Sequence, residues 1–196
     1  MKIGIIPSVQ EKYKNQFEYS CDIKLFKFLK TTFSKDSIEL LTINHKVDKN
    51  YKLIVISGAN GNDLIQFNSQ KKNIIRKEID DKFYKVSQKL NIPILGICHG
   101  AQYLAKKFSS TIIKKKHIGN HSVKFTNHKK PIIVNSFHTK VISRLGKKLI
   151  SKAVAYDNTV EFFIHKDKKI LGIMWHPERY KNFKKIDKNI VKKLCI

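Results

Sequence analysis

Cys98 stands between two glycines, in Gly96-Ile97-Cys98-His99-Gly100, where an apolar run gives way to a helical pattern. This is a G-x-C-x-G arrangement, the thiol counterpart of the G-x-S-x-G elbow. A side chain at a tight strand-to-helix turn is pushed clear of the backbone, and flanking glycines let strand and helix approach. The helix N-terminus favours a thiolate and leaves N–H groups free to hold an oxyanion. A thiolate nucleophile needs a base, and the base needs an orienter. Of the eight histidines, His176 directly follows the apolar run at 170–175, and Glu178 lies two residues on. Two positions apart on an extended segment, the side chains share a face. The carboxylate can then fix the imidazole tautomer. Cys98, His176 and Glu178 are therefore the candidate nucleophile, base and orienter of an acyl transfer.

Such a triad must be carried on the edge of a sheet, and the pattern supplies one. Residues 2–7, 37–42, 53–56 and 92–97 read as strands. Leu53-Ile54-Val55-Ile56 is a continuous β-branched and aliphatic run, as expected of a strand buried on both faces. Helices are expected at 21–33, at 101–108 and at 72–90, where Ile75, Ile79, Phe83, Val86 and Leu90 recur at helical spacing. Strands alternating with helices imply parallel pairing through right-handed crossovers. Past residue 109 the pattern changes to short strands at 122–126, 132–135, 152–156, 160–165 and 170–175. Pro177 opens a last helix whose buried face is Phe183, Ile186, Ile190 and Leu194. The expected fold is α/β: a single open, mostly parallel central sheet flanked by helices, with a smaller antiparallel hairpin region in the C-terminal half. No linker or repeat divides the chain, so residues 1–196 read as one domain. His176 falls at the C-terminal edge of that sheet, where open α/β folds place their sites.

Composition narrows the function classes. At 196 residues and 41% hydrophobic, the chain can bury a substantial core. No apolar run approaches the ~20 residues that span a bilayer, and the N-terminus reads as a first strand and not a signal peptide. Three cysteines, an odd number without metal-type spacing, argue against a disulfide framework and a zinc ribbon and for a reducing cytoplasm. The net charge is +25, from 40 Lys+Arg against 15 Asp+Glu. Only Arg76, Arg144 and Arg179 are arginines, whereas nucleic-acid readers rely on Arg for bidentate contacts. The lysines are spread along the chain and read as a solvated surface, with an anionic small substrate as the functional alternative and nucleic acid disfavoured.

These residues together resemble the class I glutamine amidotransferase superfamily, whose triad is a Cys on an elbow and a distant His-x-Glu. The resemblance runs from about Tyr51 onward and is nearest to the γ-glutamyl-hydrolase branch. Arg76-Lys77-Glu78-Ile79-Asp80 resembles that branch's Arg-Asp-x-x-Glu, and Asn135-Ser136-Phe137-His138 its Asn-Ser-Phe-His. Val160-Glu161 with Gly172-Ile173-Met174-Trp175-His176-Pro177-Glu178 resembles its Val-Glu and Gly-Val-Gln-Trp-His-Pro-Glu segments. There are departures. Ser57-Gly58-Ala59-Asn60-Gly61 stands where the family has a Pro-Gly-Gly loop, Lys77 replaces an Asp, and His99 replaces an Arg or Leu. The stretch 7–33 is short and matches poorly.

The resemblance implies Cys98 as nucleophile, His176 as base and then acid, and Glu178 as orienter. It implies an oxyanion hole from the backbones of Ala59 and His99, beside Gly58. It also implies that Gln102, Asn135, Ser136 and Phe137 line the glutamyl pocket, with His138 and His121 as wall residues. The activity implied is hydrolysis of the γ-glutamyl amide of a small metabolite, with no metal or organic cofactor. A nucleotide-linked leaving group would suit the basic charge, and a cationic polyamine would suit it poorly. The remaining alternatives are a glutaminase subunit feeding ammonia to a synthase and a catalytically idle relative. Oligomeric state is not legible.

Overall fold

A computed structural model of the chain describes residues 1–59, 70–128 and 130–196. Asn60 and Gly61 of the expected oxyanion loop lie outside the described residues. The first half is built from β1 (Lys2–Ile6), β2 (Ser8–Tyr13), β3 (Gln16–Ser20), α1 (Ile23–Thr32), β4 (Ser37–Leu40), β5 (Tyr51–Ile56), α2 (Gln70–Leu90), β6 (Ile94–Ile97) and α3 (His99–Lys107). The second half adds β7 (Thr111–Phe125), β8 (Ile132–Arg144), β9 (Leu149–Ala155), β10 (Val160–His165), β11 (Ile170–Ile173), a single 3-10 turn at Pro177–Arg179 and α4 (Lys185–Leu194).

Among the described residues the main sheet has nine strands in the order β4-β1-β5-β6-β11-β10-β8-β7-β9, and β9 returns to pair with β10. Strands β4, β1, β5, β6 and β11 are parallel neighbours. Every other pairing in the sheet is antiparallel. This corrects the expectation of an open, mostly parallel sheet with a small hairpin region: the antiparallel part is as large as the parallel part and closes on itself. The reason lies in β7 and β8. Their polar stretches, such as Lys114-Lys115-Lys116, are exposed on strands that bury only some positions. A search for apolar runs therefore finds only the ends of long strands.

Strand alternation divides the core in two. Leu53 and Val55 of β5 pack with Ile3, Ile5, Leu95, Ile97 and the buried stripe of α1, namely Leu25, Phe28 and Leu29. Ile54 and Ile56 face the other way, onto Ile79 and Phe83 of α2 and Ala101, Leu104 and Ala105 of α3. Asp22 caps α1 by accepting from Lys24 N at 2.9 Å. One element is not anticipated, and one further expectation needs correction. The hairpin β2–β3 forms within the stretch that matched poorly, turning at Asn15 with φ 62°, because Asn tolerates the left-handed region. Pro177 opens only one 3-10 turn, and α4 begins eight residues later because Tyr180 is extended. Among the described residues no helix is long and apolar enough to cross a membrane.

The register of β6 against β11 sets where the functional side chains emerge. Gly96 pairs with Gly172 and Ile97 with Ile173. The chain segments beyond these two parallel strands, carrying Cys98 and His176, thus leave the same sheet edge side by side.

Candidate active site

The elbow is built from close backbone contacts. A Cβ on Gly96 would lie 2.4 Å from the carbonyl of Gly100, and one on Gly100 would lie 2.3 Å from the carbonyl oxygen of Ile56. Only glycine fits at either position, so α3 can begin directly over the strand ends. Cys98 sits at the turn with φ 49° and ψ −100°, outside the regions comfortable for an L-residue. Such strain is held by its surroundings and is concentrated at functional sites. Cys98 N donates to Ile173 O at 2.8 Å, and Gln102 N to Cys98 O at 3.0 Å. The thiol therefore stands at the N-terminus of α3, held between β6 and β11.

His176 is buried and held from three directions. Its Nδ1 lies 2.6 Å from Oε1 of Glu178, which is itself buried. Its other ring nitrogen is left for Cys98, which lies close enough to influence the charge of the ring. Its backbone N donates to Asn135 Oδ1, and its backbone O accepts from Asn135 Nδ2, both at 2.8 Å. Burial pulls the His176 pKa down, but Cys98 and Glu178 outweigh it and push the pKa up to about 9. The imidazole therefore holds its proton across neutral pH.

Gly58 packs on this ring, since a Cβ there would lie 2.7 Å from His176 Cε1. Ala59 follows it and is exposed. His99 is anchored through its side chain: Nε2 lies 2.9 Å from Asp80 Oδ2, while Asp80 Oδ1 accepts from Arg76 Nε at 2.9 Å. Arg76 also donates to Pro7 O at 2.7 Å and Ser57 O at 2.9 Å. One buried guanidinium thus ties the ends of β1 and β5 to α2 and, through Asp80, to the elbow. Burial lowers the His99 pKa against the opposing pull of Asp80. Lys77, the departure from the family pattern, pairs at the surface with Asp81.

The segment 135–137 splits by strand alternation. Asn135 and Phe137 face His176, the Phe137 ring standing edge-on with its centroid 5.6 Å from the imidazole. Ser136 points the opposite way and donates to His117 O at 2.6 Å. The side-chain amide of Asn135 is committed to the His176 backbone. Arg179 lies with its guanidinium 4.8 Å from the Phe137 ring centroid, and its Nε is 3.9 Å from Glu178 Oε1. Gln102 donates to Lys140 O at 3.0 Å, bridging α3 to β8. A cavity of about 490 Å³ beside the elbow is lined by Arg76, Asp80, His99, Gln102, Lys106 and Lys140, among others. A more apolar hollow of about 730 Å³ under α4 includes none of the triad.

Sequence reasoning missed the Asn135 clasp and the Asp80–His99 link, although both segments carried a family resemblance. The missing signal was geometric: each bond joins residues far apart in the chain.

The model of the family glutamine amidotransferase class-I matches residues 14–194. The chain is 38% identical over 160 residues to γ-glutamyl-CDP-amidate hydrolase of Campylobacter jejuni, covering 75% of this chain and 76% of that one. Among solved structures it is similar to a glutamine amidotransferase of Thermotoga maritima, with TM-score 0.68 and 18% identity over 90% of this chain and 76% of the other. A Thermoplasma acidophilum protein described as a candidate GMP synthase subunit superposes with TM-score 0.70 at 20% identity, over 100% of this chain and 92% of that one. At these identities the two structures bear on the fold alone.

Proposed function

The chain belongs to the class I glutamine amidotransferase family, and from that premise we propose that it is a cytoplasmic hydrolase that releases glutamate from a γ-glutamyl-CDP-amidate. The reaction class is cysteine-dependent hydrolysis of a C–N amide bond. The choice of substrate rests on the 38% identity to the Campylobacter jejuni hydrolase over three quarters of both chains. The chemistry rests on His176, which lies between Cys98 and Glu178.

Cys98 Sγ attacks the γ-carbonyl carbon as the thiolate of a thiolate–imidazolium pair, the thiol proton already resting on His176. The oxyanion is held by the backbone N–H groups of Ala59 and His99, each worth on the order of 3 kcal/mol in the transition state. The C–N bond breaks as His176 returns the proton to the leaving nitrogen, releasing cytidine diphosphoramidate. Water then gives a proton to His176 and adds to the thioester carbon. The C–S bond breaks, glutamate leaves and the thiolate–imidazolium pair is restored. Glu178 keeps Nδ1 protonated throughout, so the nitrogen facing Cys98 carries each transferred proton. Asn135 and Gly58 fix the ring, Phe137 walls one side, and Gln102 lines the cavity beside the elbow, whereas Ser136 faces away from the ring. Arg179 and the lysines beside the elbow accept the diphosphate.

The test is glutamate release by the purified chain alone from γ-glutamyl-CDP-amidate, glutamine and a γ-glutamyl polyamine. The nucleotide-linked substrate should have the highest kcat/KM without any added protein. Glutamine turnover that appears only with a synthase partner would replace this reading with an ammonia-supplying subunit.

A further inference from the structure

We propose that His117, His121, His138 and Glu161 form a binding site for one divalent transition-metal ion, with zinc the best fit. The site lies in the antiparallel half of the sheet. His117 and His121 are on β7, His138 on β8 and Glu161 on β10. Ligand atoms of His117, His138 and Glu161 all lie within 4.8 Å of one another. Around a single oxygen, Glu161 Oε1, stand His117 Nδ1 at 3.3 Å, His121 Nε2 at 3.5 Å and His138 Nε2 at 3.5 Å. Ligands about 2.0–2.1 Å from a tetrahedral zinc ion are about 3.3–3.4 Å apart. The carboxylate-to-imidazole distances are therefore already those of a tetrahedral edge.

Two independent observations point to a ligand. The first is the set of unpartnered atoms. Among the described residues, His121 Nε2, both ring nitrogens of His138 and Glu161 Oε2 are buried without a hydrogen-bond partner, and His117, His138 and Glu161 are all at most 4% exposed. Buried polar groups are ordinarily satisfied. A cation bound by His121 Nε2 and His138 Nε2 would satisfy two of these atoms at once. The second is the support behind His117. Its Nε2 lies 2.9 Å from Asp157 Oδ2, which directs Nδ1 toward Glu161. Asp157 is in turn fixed by Thr159 Oγ1 at 2.7 Å and Lys115 Nζ at 2.6 Å. A carboxylate holding the far nitrogen of a ligating histidine is the arrangement that sets its tautomer in metal sites. Three imidazoles and one carboxylate suit zinc better than magnesium or calcium, which prefer oxygen.

Four protein ligands close the coordination, which makes the site structural and not catalytic. Its place gives it a task. Glu161 O accepts from Met174 N at 2.8 Å, just before His176, and His117 O accepts from Ser136, the neighbour of Asn135. An ion there would lock β7, β8 and β10 together behind the strand that clasps His176. The expectation that this protein needs no metal for its chemistry is untouched.

The test uses untagged protein carrying Cys98→Ala, so that the active-site thiol cannot bind the ion. Metal is stripped with a strong chelator, and zinc is titrated back against a chromophoric competitor. One zinc per chain is expected, with a rise in Tm, and Asp157→Asn should weaken binding about 10–100-fold. Cobalt should bind with the intense visible bands of a four-coordinate ion. The double variant His121→Asn/His138→Gln should lose both signals. Zinc bound equally by that variant, or no zinc and no four-coordinate cobalt spectrum with the ligand set intact, would overturn the proposal. The cobalt spectrum keeps the test decisive even if the double variant does not fold.

Discussion

The side-chain amide of Asn135 grips the backbone of His176 from both sides, accepting from its N–H and donating to its C=O at 2.8 Å each. A histidine that must face Cys98 on one nitrogen and Glu178 on the other has little angular tolerance. The clasp supplies the rigidity that a turn beginning at Pro177 cannot give alone. The Asn135 amide is thereby engaged with the backbone of the proton carrier.

Asn135→Ala should accordingly lower kcat by about 10²-fold, the scale of an ångström-level misplacement, while KM changes little. Steady-state kinetics on both proteins, with circular dichroism to verify the fold, separates this from a pocket role. A pocket residue would raise KM and leave kcat near normal.

Glu178 contributes to the elevated pKa of His176, so removing its charge should let that pKa fall. Wild-type kcat/KM should decline on the alkaline side near pH 9 as the imidazolium is lost. In Glu178→Gln the alkaline limb should move to lower pH, and kcat should drop at every pH. A limb that stayed in place would mean that another group controls it.

Asp187 is buried, accepts from Trp175 Nε1 at 3.2 Å, and is pushed up to about 6 by that burial. A carboxyl whose folded pKa exceeds its unfolded value stabilises the fold at low pH. That contribution is lost as pH rises from about 4 through 6. Asp187→Asn keeps an acceptor for Trp175 and should stabilise the protein by on the order of 1 kcal/mol at pH 8. At pH 4 the difference should vanish. Urea melts at the two pH values measure it.

The basic residues around the elbow should recognise a diphosphate through screened charge, with a Debye length of about 10 Å at 0.1 M salt. Phosphate contacts act in ground and transition states alike and appear mainly in KM. Between low and moderate salt, kcat/KM for γ-glutamyl-CDP-amidate should fall steeply, and the value for free glutamine should barely move. Arg179→Ala should raise KM for the nucleotide substrate and flatten its salt dependence. Equal salt dependence for both substrates would assign the charge of +25 to the general surface.

The parts of this molecule legible in the sequence are those whose cause is local. Gly96 and Gly100 flanking Cys98 announce a close approach of strand and helix. His176 and Glu178 two residues apart announce a shared face, and the runs at 53–56 and 92–97 announce buried parallel strands. What could not be read depends on long-range pairing. The closure of β9 onto β10, the Asn135–His176 clasp across 41 residues and the gathering of His117, His138 and Glu161 from three strands leave no periodic trace. His138 and His121 read as wall residues only through the family resemblance, and their shared approach to Glu161 is set by strand pairing.

The central claim is that Cys98 carries out covalent hydrolysis of a γ-glutamyl amide linked to a nucleotide. Its most direct test is the release of glutamate from γ-glutamyl-CDP-amidate by wild-type and Cys98→Ala protein, each purified alone and measured by mass detection. The account predicts efficient release by the wild type and a loss of at least ~10³-fold in the folded variant. Comparable release by the two proteins would contradict it.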